Sequence, residues 1–373
     1  MSRLRVRELV RKEFIQLFRD KKNRPLLIIA PVVQLLIFGY VVTTDVRDIR
    51  VGFWDQCNSC ESRMLADALD ANETFRITHY ENTPKDLEAL LLHGKVDLAV
   101  KVAPDFSERI RKGDTAHVQI LADGTMSNMA SLRIAYTRLV LDRLSQDFIK
   151  ELYKKQLDYG RIDARIRAWY NPNLDSRNFY VPGIVAFLVM LISLLFTSMA
   201  IIREKESGTM EQLIATPLTP ADLILGKTIP YIIIVMSQMI IVTAFAIVWF
   251  DIPLAGNIGL LFVATCFFLL STLGIGLFIS TISATQQQAM MTTFFFMLPF
   301  FMLSGFVFPV ANMPLLVQWL TRLNPLMHFL IIIRGIFLKG VGFEILWPQF
   351  LALVILGIVV FAGAVTRFKK RLD

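Results

Sequence analysis

The stretch IPLAGNIGLLFVATCFFLLSTLGIGLFISTISATQQQAMMTTFFFMLPFFMLSGFVFPVANMPLLVQWLT, residues 252–321, holds no Asp, Glu, Lys or Arg. A membrane helix needs about 20 apolar residues to cross a hydrocarbon core roughly 30 Å thick. Two such spans fit here, at 257–282 and 289–310, divided by the polar turn SATQQQ (283–288). Outward from this stretch lie four more. Residues 25–44 carry PLLIIAPVVQLLIFGYVV, and 179–202 read FYVPGIVAFLVMLISLLFTSMAII. The others are 228–250, just before Asp251, and 348–366. Six spans agree with the composition of the 373 residues, 54% apolar and only 19% charged. A soluble protein is nearer ~45–50% and ~25%. A single soluble core would leave too little polar surface to cover it, and disorder demands the opposite composition.

One region resists the count. Residues 311–342 are apolar but interrupted by Arg322, Asn324-Pro325, Arg334 and Lys339. We read them as re-entrant or interfacial, packed against protein, because irregular backbone is not tolerated facing lipid. A seventh span is the alternative.

The net charge of +8 is unevenly placed. Residues 1–24 hold nine Lys/Arg against three Asp/Glu, and 367–373 hold four against one. Residues 45–178 are nearly neutral, with 20 basic and 21 acidic side chains. Excess Lys/Arg beside spans marks the cytoplasmic side. Both termini are therefore expected in the cytoplasm, as an even number of spans requires. The segment 45–178 then lies outside, and the loops 203–227 and 283–288 inside. A nucleic-acid-binding domain is a poor explanation, since the one large polar segment has no basic excess. Tyr40, Tyr180, Trp249 and Trp347 fall at span ends, where interface aromatics belong. Val6, Val10, Phe14, Leu17 and Phe18 recur at helical spacing among basic residues. They read as an amphipathic helix on the anionic lipids of the inner leaflet, or else as an extension of the first span. That span shows no small-x-small cleavage box after it and reads as a retained anchor.

Between the first two spans, strand-like and helix-like runs alternate. Strands are expected at 49–55, 75–80, 96–102 and 116–123, with a short one at 162–170. Helices are expected at 62–70, over PKDLEALLLHG, over PDFSERIRKG with Gly113 at its stop, and over about 126–156. This is an α+β domain. The long helix has an apolar stripe, Ile134, Leu139, Leu141, Leu144, Phe148 and Leu152, that suits packing on a sheet. Cys57 and Cys60 form CNSC. A local disulfide is the expected state if the compartment oxidises thiols. A thioredoxin-like redox site is disfavoured because no helix N-terminus is recognisable there, and a zinc site would need two of His79, His93 and His117.

No catalytic constellation emerges. Gly226-Lys227-Thr228 resembles the end of a phosphate loop, but the required glycine at 221 is Ala221 and no strand precedes it. HExxH and GxSxG are absent. The span centres lack Asp, Glu and Lys, which an ion-coupled carrier usually keeps. Ser193, Gln238, Thr243, Ser271 and Thr272 are mild polar groups for which packing is the default. His328 is read as a polar packing residue.

The most informative polar segment is 203–227, REKESGTMEQLIATPLTPADLILGK. It leaves the second span as a charged helix and breaks at Gly208. Thr209 can cap a new turn with Gln212 as its capping-box partner. Met210, Leu213 and Ile214 give that turn an apolar face, and Pro217 and Pro220 limit its length. A short amphipathic helix of this kind suits docking in another protein's groove, or lying on lipid.

This loop resembles the membrane subunit of ABC-2 type transporters, in particular bacterial multidrug or drug-efflux permeases. The family pattern RExExGTxExL…TP…GK is met by Arg203, Glu204, Glu206, Gly208, Thr209, Glu211, Leu213, Thr216, Pro217, Gly226 and Lys227. WYNPNLDSRNFYVPG (169–183), VDLAVKVAPDFSERIRKG and NMPLLVQWLTRLNPLMHF match the family as well. The resemblance implies a six-span helical fold in a bacterial inner membrane, with a second identical or homologous permease subunit. It implies a pair of separate ATP-binding subunits that hold ATP and Mg, while this chain binds no cofactor or metal. It implies that residues 203–216 belong to the element gripping the ATPase, with Arg203, Glu204, Glu206, Gly208, Thr209, Glu211 and Leu213 as its coupling residues. Residues 1–24 would be the connecting helix. A periplasmic adaptor and the cargo stay open, and uncharged spans favour an amphiphilic or apolar cargo. The competing functions are a non-transporting scaffold or sensor with a ligand-binding periplasmic domain, and a secondary carrier or membrane enzyme.

Overall fold

A computed structural model of the chain describes residues 3–19, 23–41, 48–72, 74–125, 127–152, 169–171, 175–208 and 220–369. They form two compact units, one of residues 1–43 and 167–373, the other of residues 44–166.

The first unit is helical. Its elements are α1 (Arg3–Arg19), α2 (Asn23–Val41), α7 (Ser176–Glu206), α8 (Pro220–Phe250), α9 (Ile258–Ile282), α10 (Gln286–Met302), α11 (Leu315–Thr321), α12 (Pro325–Arg334) and α13 (Phe343–Lys369). Helices α3 to α6 belong to the second unit. Four helices, α7, α8, α9 and α13, are long and apolar enough to cross a membrane. α11 and α12, the latter extended by a π-helical turn Gly335–Lys339, form a pair bent by 79° that would make a fifth. α10 has 17 residues, and the apolar helix Ile29–Val41 is shorter still. The expectation of six spans thus meets four long helices, a bent pair and one shorter apolar helix, with the 17-residue α10 beside them.

The apolar window of α7 is 78% buried and that of α13 only 22%. Yet α13 stays apolar outward, exposing Leu351, Ile355, Ile358 and Val359. A helix exposed to water shows polar residues on its outer face, so α13 is built for an apolar solvent. Small residues set the central contacts. A Cβ on Gly276 would stand 2.7 Å from the Cβ of Thr197 on α7, and one on Gly274 would stand 2.9 Å from the backbone N of Phe361 on α13. Beside them Ser193 Oγ and Thr272 Oγ1 are 2.9 Å apart, so each hydroxyl finds a partner within the bundle.

The span expected at 289–310 ends early, because α10 stops at Met302. Gly305 takes a left-handed φ of +83° and Pro309 follows, so the chain turns where hydropathy alone continues. At the bend between α11 and α12, the Asn324 side chain accepts the N–H of Leu326 and Pro325 occupies the first helical turn. These are helix-start signals in the middle of an apolar run.

The second unit is a four-stranded sheet of order β2-β1-β3-β4, from β1 (Ile49–Asp55), β2 (Phe75–Tyr80), β3 (Leu98–Val102) and β4 (Val118–Ala122). β1 runs parallel to both neighbours, and β4 is antiparallel to β3. Helices α3 (Cys60–Asp70), α4 (Pro84–Leu92), α5 (Phe106–Lys112) and α6 (Ser127–Leu152) complete it. Val51, Phe53, Leu98 and Val100 pack with Leu65 and Leu69 of α3 and Val140 of α6. Trp54 and Ala99 pack with Leu87 of α4 as a separate cluster. Local chemistry fixes the helix ends: Thr83 caps α4 and Gly113 closes α5 at φ +77°. The strand expected at 162–170 lies almost wholly outside the described residues.

The CNSC segment differs from its expectation in one respect. Cys60 opens α3, capped by Ser59, while Asp55 accepts the N–H groups of Cys57 and Asn58. A helix N-terminus is therefore present, hidden in the sequence because its cap lies inside the motif. Cys57 and Cys60 stand as separate thiols, the second of them exposed.

Candidate functional site

The apolar part of α7 ends at Ile202, and the helix continues one turn as Arg203, Glu204, Lys205 and Glu206. Gly208 leaves it at φ +70°. α8 returns from Pro220, and Gly226 and Lys227 lie in its second turn. The N-terminal helix α1 packs where these two ends meet. A Cβ on Gly226 would fall 2.3 Å from Leu9 Cδ2 and 2.9 Å from Leu9 Cβ, so only glycine lets α1 approach this closely.

Leu9 and Glu13, one turn apart on α1, are both buried. Lys227 Nζ donates to Glu13 Oε1 at 2.7 Å and to Glu204 Oε1 at 3.2 Å. Lys12 Nζ, half-exposed, donates to Glu204 Oε1 at 3.1 Å. The Lys227 side chain is only 2% exposed, Glu13 5% and Glu204 3%. Two ammonium groups thus balance two carboxylates in a site almost closed to water. Such a cluster adds little net stability over an apolar one, yet breaking it by removing one partner is costly. It fixes the register of α1 against α7 and α8.

Glu206 is tied differently. Its carboxylate accepts the backbone N–H of Gln286 at 2.8 Å and also the Gln286 side-chain amide. Gln286 is the first residue of α10, where unpaired N–H groups favour an anion. These bonds hold the Glu206 carboxyl below its usual range. Alternate residues of one turn therefore join α7 to α1 and α8 through Glu204 and to α10 through Glu206.

Of the residues expected to act together, Arg203, Glu204, Glu206 and Gly208 are placed at this junction, and Glu204 points inward rather than away from the chain. Thr209, Glu211, Leu213, Thr216 and Pro217 lie outside the described residues. Lys227 belonged to the motif, but its partners are a finding. Glu13 was missed altogether. The signal available was weak: a single carboxylate one turn after Leu9, three residues after Val10 and four before Leu17, bordering the apolar stripe. Among the described residues no group of His, Cys, Asp and Glu could hold a metal ion. The arrangement joins helices mechanically. His328, also singled out, donates from Nε2 to the carbonyl of Arg322 at 2.9 Å.

A family model described as "ABC-2 family transporter protein" matches residues 25–366. The chain is 32% identical over 363 residues to the "Probable multidrug ABC transporter permease YbhR" of Escherichia coli (strain K12), covering 97% of this chain and 98% of that protein. It is 32% identical over 390 residues to the "Probable multidrug ABC transporter permease YbhS" of the same organism, covering 100% and 99%. It is also 24% identical over 350 residues to "ABC transporter G family member 20" of Dictyostelium discoideum, covering 92% of this chain and 48% of that longer protein.

Proposed function

The chain belongs to the ABC-2 transporter family, and from that membership we propose that it is the permease subunit of an ATP-driven exporter of drugs or other amphiphilic compounds. ATP and Mg are held by a separate pair of ATP-binding subunits, and a second permease subunit, identical or homologous, completes the path. The termini and the 203–227 loop face the cytoplasm, the 45–178 domain faces outward, and 311–342 is the re-entrant element. The observation that carries this reading is the ion cluster Lys12–Glu204–Lys227–Glu13. It ties both ends of the 203–227 loop to α1, so a push on the loop from a partner reaches α7 and α8 together instead of being lost in a slack connection.

The test is co-purification with a cognate ATP-binding subunit and measurement of ATP hydrolysis in the complex. Glu206→Ala with Leu213→Ala is expected to lower coupled hydrolysis at least about tenfold, the loss of about 1.4 kcal/mol, while the inserted domain stays folded. Gln286→Ala removes the side-chain half of the same internal contact, leaving the backbone N–H on Glu206, and serves as the control. Unchanged complex formation and hydrolysis in the double variant would remove the loop from the coupling role. Equal losses with Gln286→Ala would assign the effect to the α7–α10 contact.

Cys57 and Cys60 are separate thiols in the structure; given the outward placement, we propose that they pair as a local disulfide once oxidised. Protein isolated from its membrane with alkylation of free thiols is expected to show both blocked until a reductant is added. Two free thiols would count against the pairing.

A further inference from the structure

At the end of α7 remote from Glu204, one cation is built into the helical unit without a counter-ion. Arg334 closes α12, and its guanidinium lies flat on the Phe179 ring, with Cζ 3.7 Å from the centroid. Nε donates to the Phe179 carbonyl at 3.3 Å and Nη1 to the Gly305 carbonyl at 3.4 Å, both long. Nη2 is shut off from solvent and has no hydrogen-bond partner. Gly183 leaves it room, since a Cβ there would stand 3.3 Å from Nη2 and only 2.5 Å from the Phe306 ring. No carboxylate among the described residues pairs with this side chain. The side chain as a whole is half-buried; a guanidinium cannot shed its proton, and the part of it closed to water is left without a counter-ion at a cost.

Beside it is a cavity of about 380 Å³ lined by Phe38, Tyr180, Ile184, Phe187, Phe301, Phe306 and Val307. Its size falls within the roughly 300–1,000 Å³ of small-molecule sites. Arg334 is not itself in that lining; Phe306 is the wall that faces both. Phe306 lies 5.9 Å from the guanidinium carbon, and the Tyr180 and Phe306 rings are 5.8 Å apart. The Phe306, Phe301 and Phe187 rings continue this aromatic wall along the cavity. We propose that the cavity and Arg334 form a binding site for an amphiphile with a single anionic group, its apolar body among the aromatic rings and its carboxylate, phosphate or sulfonate reaching the Arg334 guanidinium past a turned Phe306 ring. A cationic head would meet like charge there, and a neutral one would leave the guanidinium without its counter-ion. The span centres remain uncharged, and the selectivity sits in the interrupted segment that span counting set aside.

The site is tested without the ATP-binding subunits, so its failure is separable from failure of the coupling assignment. The full chain in phosphatidylcholine nanodiscs is titrated with dodecanoate, dodecyltrimethylammonium and dodecanol, and the melting temperature is followed. Dodecanoate is expected to stabilise at concentrations at least about tenfold lower than the other two, the effect of one charge-assisted hydrogen bond. Arg334→Gln should abolish the preference and Arg334→Lys should keep part of it. Val307→Trp, which fills the cavity and leaves Arg334 in place, should weaken binding of all three. Equal stabilisation of the natural chain by the three heads would overturn the proposal, as would a preference surviving Arg334→Gln. Should Arg334→Gln fail to fold, the head-group series and Val307→Trp decide between these outcomes. Added phosphatidylglycerol identifies the source: loss of the dodecanoate response marks a membrane lipid as the occupant, and persistence marks a free amphiphile. Either result retains the site.

Discussion

Lys227→Met is expected to destabilise the helical unit by about 3–5 kcal/mol, the cost of leaving buried charge without its partner. The size follows from what stays behind. Glu13 and Glu204 are both closed to water, and Lys227 is the group that touches both, at 2.7 and 3.2 Å. Lys12 remains on Glu204, but among the described residues no second ammonium is bonded to Glu13. A two-residue exchange separates this account from simple loss of packing. Lys227→Met with Glu13→Met removes one charge of each sign and leaves the Lys12–Glu204 pair in balance. It is expected to recover most of the loss, because a buried ion pair exchanged for apolar side chains of similar volume is often neutral. The measurement is an unfolding titration of the natural chain, both single variants and the double variant, read as a cycle. Additive losses would show that the charges act independently and that the cluster is incidental.

That cluster also marks where sequence reading stops. Apolar length and missing charge revealed α7, α8, α9 and α13 because a hydrocarbon solvent constrains every residue of a span. The helices of the inserted domain were readable because their signals are local, as in Thr83-Pro84 and Gly113. Its strand order was not, since pairing β1 with both β2 and β3 depends on contacts across the chain. The early end of α10 was hidden for a different reason: Gly305 and Pro309 sit in a run whose hydropathy never falls. The Glu13–Lys227 contact spans 214 positions, and no periodicity links residues so far apart. Arg334 was visible only as an interruption of an apolar segment, with no indication that it would be enclosed by Phe179 and Phe306. Lipid exclusion thus wrote the spans into composition, while the groups that give the bundle its chemistry are single residues set by tertiary contact.

The second large effect is expected at Gly226. Gly226→Leu should detach α1 from α8 while the long helices stay packed, because the new side chain occupies the place of Leu9. Overpacking of a tight contact costs about 1–3 kcal/mol when neighbours can shift. Here the nearest atoms include Leu9 Cβ at 2.9 Å, so rotating the Leu9 side chain does not relieve the contact and α1 must move as a body. Movement of α1 carries Glu13 away from Lys227, which adds the charge penalty to the steric one. The two terms can be divided. Gly226→Ala with Leu9→Gly adds a methyl on α8 and removes the whole opposing side chain on α1, Cβ included, and should restore the helix contact and the Glu13–Lys227 bond. Hydrogen exchange along α1 is the direct measurement. In Gly226→Leu, amides between Arg7 and Phe14 are expected to lose protection at least about tenfold, equivalent to about 1.4 kcal/mol of opening free energy, while those of α7 and α9 keep theirs. In the Gly226→Ala, Leu9→Gly pair, protection should return. If α1 exchanged equally fast in all forms, the packing of Leu9 on Gly226 would not hold it, and coupling through the junction would have to run from α7 to α8 alone. If α7 lost protection together with α1, the junction would be part of the bundle's core rather than a separable clasp at its end.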